Sequence, residues 1–576
     1  MGNPTKSTQA PGVSGFGFSN QRAYDALGRV QTLTDPRSKV TQLLHNGQDQ
    51  TTQVTDPRSL VTQVPRNGLG DALQLISPDT GTAAMTYDGA GNLKTRVDSR
   101  SVLETRSTDA VNRLTSSVFS LSGQPDQTFN WTYDQTGTGF AYGIGRLTST
   151  SHAVGSTKHV YDPQGRVVSE TQTVLPAAGA NTVTITKTVT YTRNANGDIT
   201  AILFPSGRKL FVTYTGGVPS ALALAKTATA TPVPILDQII YNPFAGPKSW
   251  VWQMAGGPQA NDRVFDLSGR LVRTRLGAVV RDITYDAADR VASYTHYDAV
   301  TSAPVTAQNQ VFGYDANSRL TAVSFGTSSW AMTYDDNGNR TGLTLNGSAK
   351  AYAVSPTSNR LDSTSNPLVA FGHDVAGNMT ASGTSTMGFD LSGRMATYTK
   401  PGSTTTYAYD GFGRRVRKFS STAASTTLVF VYDLEGHLLG EYGASGSVNR
   451  EYIWLGDTPV AMFTPGVAGA EPNLYFIHAD HLNTPRAVMD AAGGMRWTWF
   501  AEPFGTTAPN VNPAGLGNFV QPLRFPGQFA DAESGLNYNW FRTYDAKIGR
   551  YTQSDPIGLQ GGVNTSSMSK VTRSAG

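Results

Sequence analysis

Two imidazoles and a carboxylate stand together in the segment His478-Ala479-Asp480-His481. Imidazole and carboxylate groups are common zinc ligands, and the same pair can act as a general base with an orienting acid. On a strand, however, His478 and Asp480 lie on one face and His481 on the other, and no further ligand follows at a characteristic spacing. We therefore expect a structural hydrogen-bonding role for this segment rather than a metal-binding or catalytic one.

Aromatic and glycine-rich stretches offer other candidate sites. Trp497, Trp499 and Phe500 could stack on sugars, but alternating aromatic residues on a strand more often fill a core. The pair Gly493-Gly494 is not followed by a helical pattern, which a phosphate-binding loop requires. The sequence contains no cysteine, which excludes disulfides, thiolate zinc sites and cysteine nucleophiles. We predict no metal site and no cofactor.

The composition indicates a β-rich chain with many turns. Charged residues make up 15% of the 576 residues, against roughly 25% in typical globular proteins, and there are 60 glycines. The net charge is +4 and the basic residues are scattered, so no nucleic-acid-binding surface is indicated. No stretch approaches the roughly 18 apolar residues of a membrane span, and no apolar segment of signal-peptide length opens the chain. We expect neither a nucleic-acid partner nor a membrane span.

A repeat runs through most of the chain. Its pattern is an aromatic residue followed by Asp-x-x-Gly and then Arg or Asn, with looser copies at Asp286, Asp315, Asp374 and Asp433. The Asp and Gly of the close copies are Asp25 and Gly28, Asp88 and Gly91, Asp162 and Gly165, Asp266 and Gly269, Asp335 and Gly338, Asp390 and Gly393, and Asp410 and Gly413. Such a period is typical of repeat architectures.

Each copy predicts a β-hairpin. The incoming strand ends on the aromatic residue, the Asp side chain accepts hydrogen bonds from nearby backbone N–H groups, and Gly supplies the positive φ of the turn. One hairpin is not stable alone, but hairpins paired edge to edge form a continuous sheet whose twist curls it into a closed or spiral shell. A set of propeller blades and a flat β solenoid remain alternatives at this point.

These repeats resemble the YD repeats of bacterial Rhs proteins, of the C component of insecticidal toxin complexes and of animal teneurins. The segment from Tyr475 to Gly562 resembles the Rhs-repeat-associated core, with YFIHADHLNTPRAVMD, FAEPFG and RFPGQFADAESGLNYNWFRTYDAKIGRYTQSDPIGLQGG in order. The resemblance implies an all-β fold, a spiral of YD-repeat β-hairpins that forms a hollow, cocoon-like shell sealed at one end by the core. In such proteins the cavity holds a C-terminal toxin that is released by self-cleavage and often delivered by type VI secretion.

On this basis we divide the chain into an N-terminal segment (1–23), a YD-repeat β shell (24–474), an Rhs-repeat-associated core (475–562) and a divergent C-terminal tail (563–576). The predicted function is a structural, encapsulating shell of an Rhs-type toxin or secretion-system effector, here without its toxin and without enzymatic activity. The expected partners are the toxin polypeptide that full-length relatives enclose and a secretion-system spike or chaperone. Both secretion and residence in the bacterial cytoplasm before export are compatible with this prediction. The alternative is a cell-surface or carbohydrate-binding adhesion module.

The resemblance also implies the candidate catalytic residues. Self-cleavage in relatives is similar to an aspartic-protease reaction, in which one carboxylate activates water while a second, protonated carboxyl polarises the scissile carbonyl. Asp555 matches the first Asp-Pro-x-Gly element and Arg542 corresponds to an assisting arginine. The second element is missing, because no Asp or Glu follows Asp555, and neither Asp531 nor Asp545 occupies its position. We expect a remnant site in which Asp555 forms a turn before proline, with residual self-cleavage as the alternative.

Overall fold

The computed structural model describes residues 3–243, 246–466 and 473–566 and consists almost entirely of β-strands. Two short 3-10 helices, Thr306–Gln308 and Gly558–Gly561, are the helical elements of these ranges. None of the described helices has the length and apolar character needed to cross a membrane. The all-β prediction is therefore confirmed.

The strands form a first series up to residue 252. They are β1 (Lys6–Gln9), β2 (Phe18–Tyr24), β3 (Val30–Thr34), β4 (Val40–His45), β5 (Thr51–Thr55), β6 (Val61–Gln63), β7 (Gln74–Ser77), β8 (Gly81–Tyr87), β9 (Leu93–Val97), β10 (Leu103–Thr108), β11 (Leu114–Ser120), β12 (Gln127–Tyr133), β13 (Leu147–His152), β14 (Gly155–Tyr161), β15 (Val167–Val174), β16 (Ile185–Arg193), β17 (Ile199–Leu203), β18 (Lys209–Thr215), β19 (Val218–Ala225), β20 (Val233–Tyr241) and β21 (Pro247–Trp252).

A second series continues the same ribbon. It comprises β22 (Gln259–Phe265), β23 (Leu271–Leu276), β24 (Val279–Tyr285), β25 (Val291–Asp298), β26 (Gln310–Tyr314), β27 (Leu320–Phe325), β28 (Ser328–Tyr334), β29 (Arg340–Leu345), β30 (Ser348–Val354), β31 (Leu361–Thr364), β32 (Val369–His373), β33 (Met379–Ser382), β34 (Ser385–Phe389), β35 (Met395–Lys400), β36 (Ser403–Tyr409), β37 (Arg415–Ser420), β38 (Ala423–Tyr432), β39 (Leu438–Tyr442), β40 (Val448–Leu455), β41 (Thr458–Thr464), β42 (Asn473–Ala479), β43 (Pro485–Asp490) and β44 (Met495–Thr498).

Four strands form a separate sheet, which we call the core sheet. They are β45 (Phe529–Asp531), β46 (Leu536–Asn539), β47 (Arg542–Asp545) and β48 (Arg550–Tyr551). In the long ribbon of 44 strands, each strand pairs antiparallel with the next one along the chain, as in β2–β3, β24–β25 and β42–β43. The segment 475–498, which the sequence assigns to the associated core, thus continues the wall, and the separate sheet begins at Phe529.

The repeat at Asp266 shows how the sequence forms each hairpin. One oxygen of Asp266 accepts the N–H groups of the residues two and four positions later, at 3.0 and 2.9 Å, and Gly269 has a φ of 76°. The other oxygen of Asp266 binds Nε of Arg270 at 2.8 Å. The Arg270 guanidinium lies 4.6 Å from the ring of Tyr285, whose hydroxyl donates to the carbonyl of Leu271 at 2.9 Å. The repeat therefore closes its own turn and also holds the next strand pair.

The side chain four residues after the Asp makes the same local bond in most repeats. The pairs are Asp25 with Arg29, Asp88 with Asn92, Asp109 with Arg113, Asp162 with Arg166, Asp266 with Arg270, Asp286 with Arg290, Asp315 with Arg319, Asp335 with Asn339, Asp374 with Asn378, Asp410 with Arg414, and Asp433 with His437.

The ribbon winds as a narrowing spiral, in which the second series of strands lies against the first. Its contacts join Gln9 with Ala288, Asp79 with Asn359, Gln172 with Phe430, Trp252 with Val460, and Arg281 with Asp480, which are 279, 280, 258, 208 and 199 residues apart along the chain. One turn of the spiral therefore shortens from about 280 residues to 199. The predicted spiral shell is confirmed.

Polar turn residues join the two spiral turns along a line that we call the seam. The amides of Asn317, Asn337 and Asn359 in the second turn donate to the carboxylates of Asp35, Asp56 and Asp79 in the first. Asn564 and Thr565 extend the seam, since they bind the Asn339 and Asp79 side chains at 2.8 and 3.1 Å, and both are buried. The first residues of the segment predicted as a divergent tail thus lie in the seam, and residues 567–576 lie outside the described ones.

The core sheet packs against the second spiral turn. Phe529 and Tyr538 belong to one apolar cluster with Tyr409, Phe430 and Trp497. Such packing holds the core sheet against the wall through buried aromatic area.

Candidate functional site

Asp555 lies in a tight turn directly after the core sheet. Its carbonyl accepts the N–H of Gly558 at 2.9 Å, and its Oδ1 accepts the N–H of Ile557 at 3.2 Å. The N–H of Asp555 donates to the carbonyl of Thr565 at 2.7 Å. These bonds are those of an Asp-Pro turn whose Asp caps the following backbone, and they fasten that turn to the seam.

Arg542, at the start of β47, pairs with Asp555. Its Nη2 is 2.9 Å from Oδ2 of Asp555, and each of the two side chains is 12% exposed. The Arg542 guanidinium lies 3.7 Å from the ring centre of Tyr551. The structure therefore brings both predicted catalytic residues together.

A second carboxylate, Asp79, approaches this turn from the first spiral turn. It is 4% exposed and accepts hydrogen bonds from the backbone N–H and side-chain amide of Asn359, at 2.7 and 2.9 Å. The hydroxyl of Thr565 bridges Asp79 Oδ2, at 3.1 Å, and the hydroxyl of Ser554, at 3.2 Å. Asp79 and Asp555 line the same cavity of about 240 Å³. Asp79 thus accepts three hydrogen bonds and forms neither a hydrogen bond nor an ion pair with Asp555 within the described chain.

The other acidic residues of the core sheet are engaged elsewhere. Asp531 binds Arg415 and Lys418 at 2.6 and 2.9 Å; burial opposes its ionisation, but the two cations outweigh burial and lower the pKa of Asp531. Burial raises the pKa of Asp545, which caps the N–H of Lys547 at 2.9 Å. Neither carboxyl forms a hydrogen bond or ion pair with Asp555 within the described chain.

The segment His478-Ala479-Asp480-His481 is buried in the wall. Asp480 binds Arg486 at 2.7 Å, and His481 lies 3.3 Å from the hydroxyl of Tyr294. Burial lowers the pKa of His478 to about 3, and neither of its ring nitrogens has a hydrogen-bond partner among the described residues. Asp480 and His481 thus have a hydrogen-bonding role. The His478 ring instead packs against Trp252, with 4.1 Å between the two ring centres.

Sequence reasoning missed the contacts that join one repeat to the next. In the turn at Asp433, His437 replaces the usual Arg or Asn and bridges Asp433 and Asp457, at 3.0 and 3.1 Å. Asp433, Glu435 and His437 also lie close enough together to hold a cation, but both ring nitrogens already face carboxylates. The sequence feature that could have indicated these contacts is the residue directly after the motif glycine. This residue stands four positions after the Asp.

Comparison with known proteins assigns the fold to a family. The teneurin YD-shell profile matches residues 278–565, and the RHS repeat profile matches residues 24–61. The crystal structure of TcdB2-TccC3-TEV superposes with a TM-score of 0.79 at 16% identity, covering 96% of this chain and 31% of that chain. A Photorhabdus luminescens Tc holotoxin pore gives a TM-score of 0.77, also at 16% identity, with 96% and 30% covered.

Two relatives carry toxin names. Toxin protein Tse5 of Pseudomonas aeruginosa is 43% identical over 94 residues, which are 16% of this chain and 7% of Tse5. Double-stranded DNA deaminase toxin A of Burkholderia cenocepacia is 32% identical over 182 residues, which are 28% of this chain and 12% of the toxin. The matched region is thus a small part of each relative. Since the YD-shell match spans half of this chain, the protein belongs to the teneurin YD-shell family.

Proposed function

We propose that this chain forms part of the wall of an Rhs-type shell that encloses another polypeptide. The shell shields that polypeptide from proteases and from binding partners in solution. The observation that carries the proposal is the continuous ribbon of 44 paired strands, whose second spiral turn is joined to the first along the seam. Pairing on both sides leaves few free strand edges, so such a wall resists both proteolysis and edge-to-edge aggregation. Two relatives of this family are named as toxins, which supports a toxic polypeptide as the enclosed class.

The core sheet acts in this proposal as a plug against the wall. Arg415 of β37 is 1% exposed and binds Asp531 of the core sheet, while Lys418 binds both Asp531 and Glu533. Removing one member of a buried ion pair leaves an uncompensated charge, so these contacts oppose any displacement of the sheet. A plug held in this way separates the interior from solvent.

Protease protection tests the proposal. An unstructured test polypeptide is fused after Gly576, and its digestion by a broad-specificity protease is followed by gel and mass spectrometry. We expect the segment to survive much longer than the same segment fused before Met1, next to the exposed strand Lys6–Gln9. Opening the seam with Asp79→Ala and Asn359→Ala together should abolish that protection. Equal digestion rates for the two fusions would contradict encapsulation.

We also propose that Asp555 and Arg542 stabilise the C-terminal turn of the plug and do not catalyse self-cleavage. The support is the ion pair itself, together with the hydrogen bonds that tie Asp555 to Thr565 and to its own turn. An aspartic-protease reaction needs a second carboxyl that acts with Asp555. The two other carboxyls that line this cavity are engaged elsewhere, since Asp79 accepts three hydrogen bonds and Asp98 pairs with Arg100.

A further inference from the structure

Arg394 departs from the rule that governs the other arginines of the repeat. At this position the repeat arginine normally pairs with the Asp four residues earlier, as Arg319 does with Asp315 at 2.6 Å. Arg394 donates its backbone N–H to Asp390, but its guanidinium forms no ion pair with that residue within the described chain. The departure is local to one turn of an otherwise regular series.

The cause lies 263 residues away in the first spiral turn. Gln127 donates its side-chain amide to Oδ2 of Asp390 at 3.1 Å, and the hydroxyl of Ser392 donates to Oδ1 at 2.8 Å. Gln127 also accepts the N–H of Ser392 at 3.2 Å. The Asp390 carboxylate is thereby satisfied by neutral donors, and the Arg394 guanidinium is released from its own turn.

The released guanidinium lies where two cavities meet, in a region that we call the cleft. Ser392 and Arg394 line both cavities, which have volumes of about 290 and 240 Å³ and lie between the first spiral turn and the 376–413 region of the second. The smaller cavity is also lined by Phe541 and by residues between 553 and 565. The guanidinium rests 4.3 Å from the ring centre of Phe541, and burial lowers the pKa of Arg394. A flat aromatic surface on one side leaves the N–H edge of the guanidinium for another partner.

Two arginines around the cleft have no carboxylate partner in the described chain. The carboxylates of the cleft are already bound, as their contacts show: Asp79 with Asn359, Asp98 with Arg100, Glu104 with Arg106, Asp410 with Arg414, and Asp555 with Arg542. Arg394 and Arg96 also line the cleft, and neither forms an ion pair with a described residue. Asp79 and Asp390 are held by neutral donors and offset these two charges, so the cleft has no net surplus of positive charge; what it offers is two guanidinium groups without a carboxylate partner.

We propose that Arg394 anchors a carboxylate-binding subsite in the cleft, and that its ligand is an Asp or Glu side chain of the polypeptide enclosed by the shell. This inference rests on the proposed function. The guanidinium fork matches a carboxylate with two parallel hydrogen bonds, and the same side chain binds Asp in the sister repeats. Cavities of this size hold a side chain and its flanking backbone, not a folded domain. The subsite would fix one acidic point of the cargo to the wall.

Binding of a small acid probe tests the subsite. N-acetyl-aspartate amide is titrated into the intact protein and followed by ligand-observed NMR, with N-acetyl-asparagine amide as the neutral control. We expect Arg394→Gln to weaken binding of the acid about tenfold or more, as expected for the loss of charge-assisted hydrogen bonds. Arg394→Lys should weaken it in part, because the charge remains and the fork is lost. The matched variant Arg319→Gln, in the same repeat position but paired with Asp315, should bind the probe normally.

The two variants should rank in the opposite order by loss of thermal stability and by loss of probe binding. This difference separates a binding role from a structural one. Arg319→Gln should lower the melting temperature more than Arg394→Gln, because only Arg319 neutralises its own turn carboxylate. Unchanged probe binding in Arg394→Gln overturns the proposal, as does equal binding of the acid and amide probes. Competition by inorganic phosphate that is as strong as competition by the acid also overturns it. The protease-protection result does not depend on this probe, so protected cargo without probe binding refutes the subsite alone.

Discussion

The ion pair in the repeat turn at Asp266 is partly exposed, whereas the ion pair between Arg415 of the wall and Asp531 of the core sheet is almost completely buried. The side chains of Arg270 and Asp266 are 32% and 24% exposed, while those of Arg415 and Asp531 are 1% and 0% exposed. Exposed pairs contribute about 0–1 kcal/mol each, so the wall gains its stability by repetition. Buried pairs contribute little net stability but make the loss of either partner costly. The partly exposed repeat turns can therefore tolerate variation that the buried plug contact cannot.

The largest effect is expected from Asp531→Asn. It removes the charge that compensates Arg415 and Lys418, and two guanidinium nitrogens of Arg415 already lack hydrogen-bond partners in the described chain. We expect a loss of about 3–5 kcal/mol in the free energy of unfolding, measured by chemical denaturation. The matched wall variant Asp266→Asn keeps the acceptor for the backbone N–H groups and should lower the free energy of unfolding much less, because its ion pair is exposed to solvent and screened. Equal costs would show that the two regions do not differ in this way.

Two glycines with the same backbone conformation sharpen the comparison. Gly269 and Gly413 both have a φ of 76°, but a Cβ at Gly269 meets open space, while one at Gly413 meets the Arg394 guanidinium and Phe541 of the core sheet. Valine should cost about 1–2 kcal/mol at either position from backbone strain. At Gly413 we expect roughly a further 1–2 kcal/mol from the displaced neighbours. Thermal melting of Gly413→Val and Gly269→Val measures the difference, and an unchanged melting temperature in both would contradict the turn assignment.

The one histidine that replaces a repeat arginine makes part of the wall sensitive to pH. Burial opposes protonation of His437, but Asp433 and Asp457 outweigh burial and raise its pKa to about 9 from the ordinary 6.5. Because the folded-state pKa is the higher one, the stabilisation is fully present below about pH 6.5 and is lost as the pH rises through about 9. We expect a loss of about 1–2 kcal/mol, since Asp457 is 85% exposed and its charge is screened.

The control for this effect is His437→Arg, which restores the residue type of most repeats and does not titrate in this range. Unfolding free energies of both proteins are compared between pH 6 and pH 9.5. The other titrating groups cancel in the difference between the two proteins, so a difference that is independent of pH would refute the assignment to His437.

The hairpins could be predicted from the sequence because their chemistry is local. Asp266 and Gly269 act within four residues, and the same spacing recurs in each copy. The narrowing of the spiral could not be predicted from the sequence. It depends on contacts such as that between Trp252 and Val460, which are 208 residues apart, and one sequence does not indicate such contacts. A period identifies repeating units, but it does not say which unit of the next turn lies against which.

The candidate site shows the same limit. Asp555 and Arg542 could be placed together because the associated core carries both in one recognisable segment. Asp79 could not, since it stands outside the repeat motif and reaches the site through the seam. That the Arg394 guanidinium does not pair with Asp390 could also not be predicted from the sequence. It depends on Gln127 in a distant strand and not on any change within its own repeat.

The smallest expected effect is that of Asp555→Asn on cleavage of the chain, which should be none. Asp555 is paired with Arg542 and bonded into its turn, and the two other carboxyls that line its cavity are engaged elsewhere, Asp79 by three donors and Asp98 by Arg100. The second carboxyl that an aspartic-protease reaction requires is therefore not paired with Asp555 in the described chain. Intact mass spectrometry after a day between mildly acidic and neutral pH should therefore return the full chain, apart from its initiator methionine, for wild type and variant alike. A discrete C-terminal fragment in the wild type that disappears in both Asp555→Asn and Arg542→Ala would show that another acid completes the site. The plug would then be a reactive element, and the contrast between wall and core sheet would be one of chemistry as well as of packing.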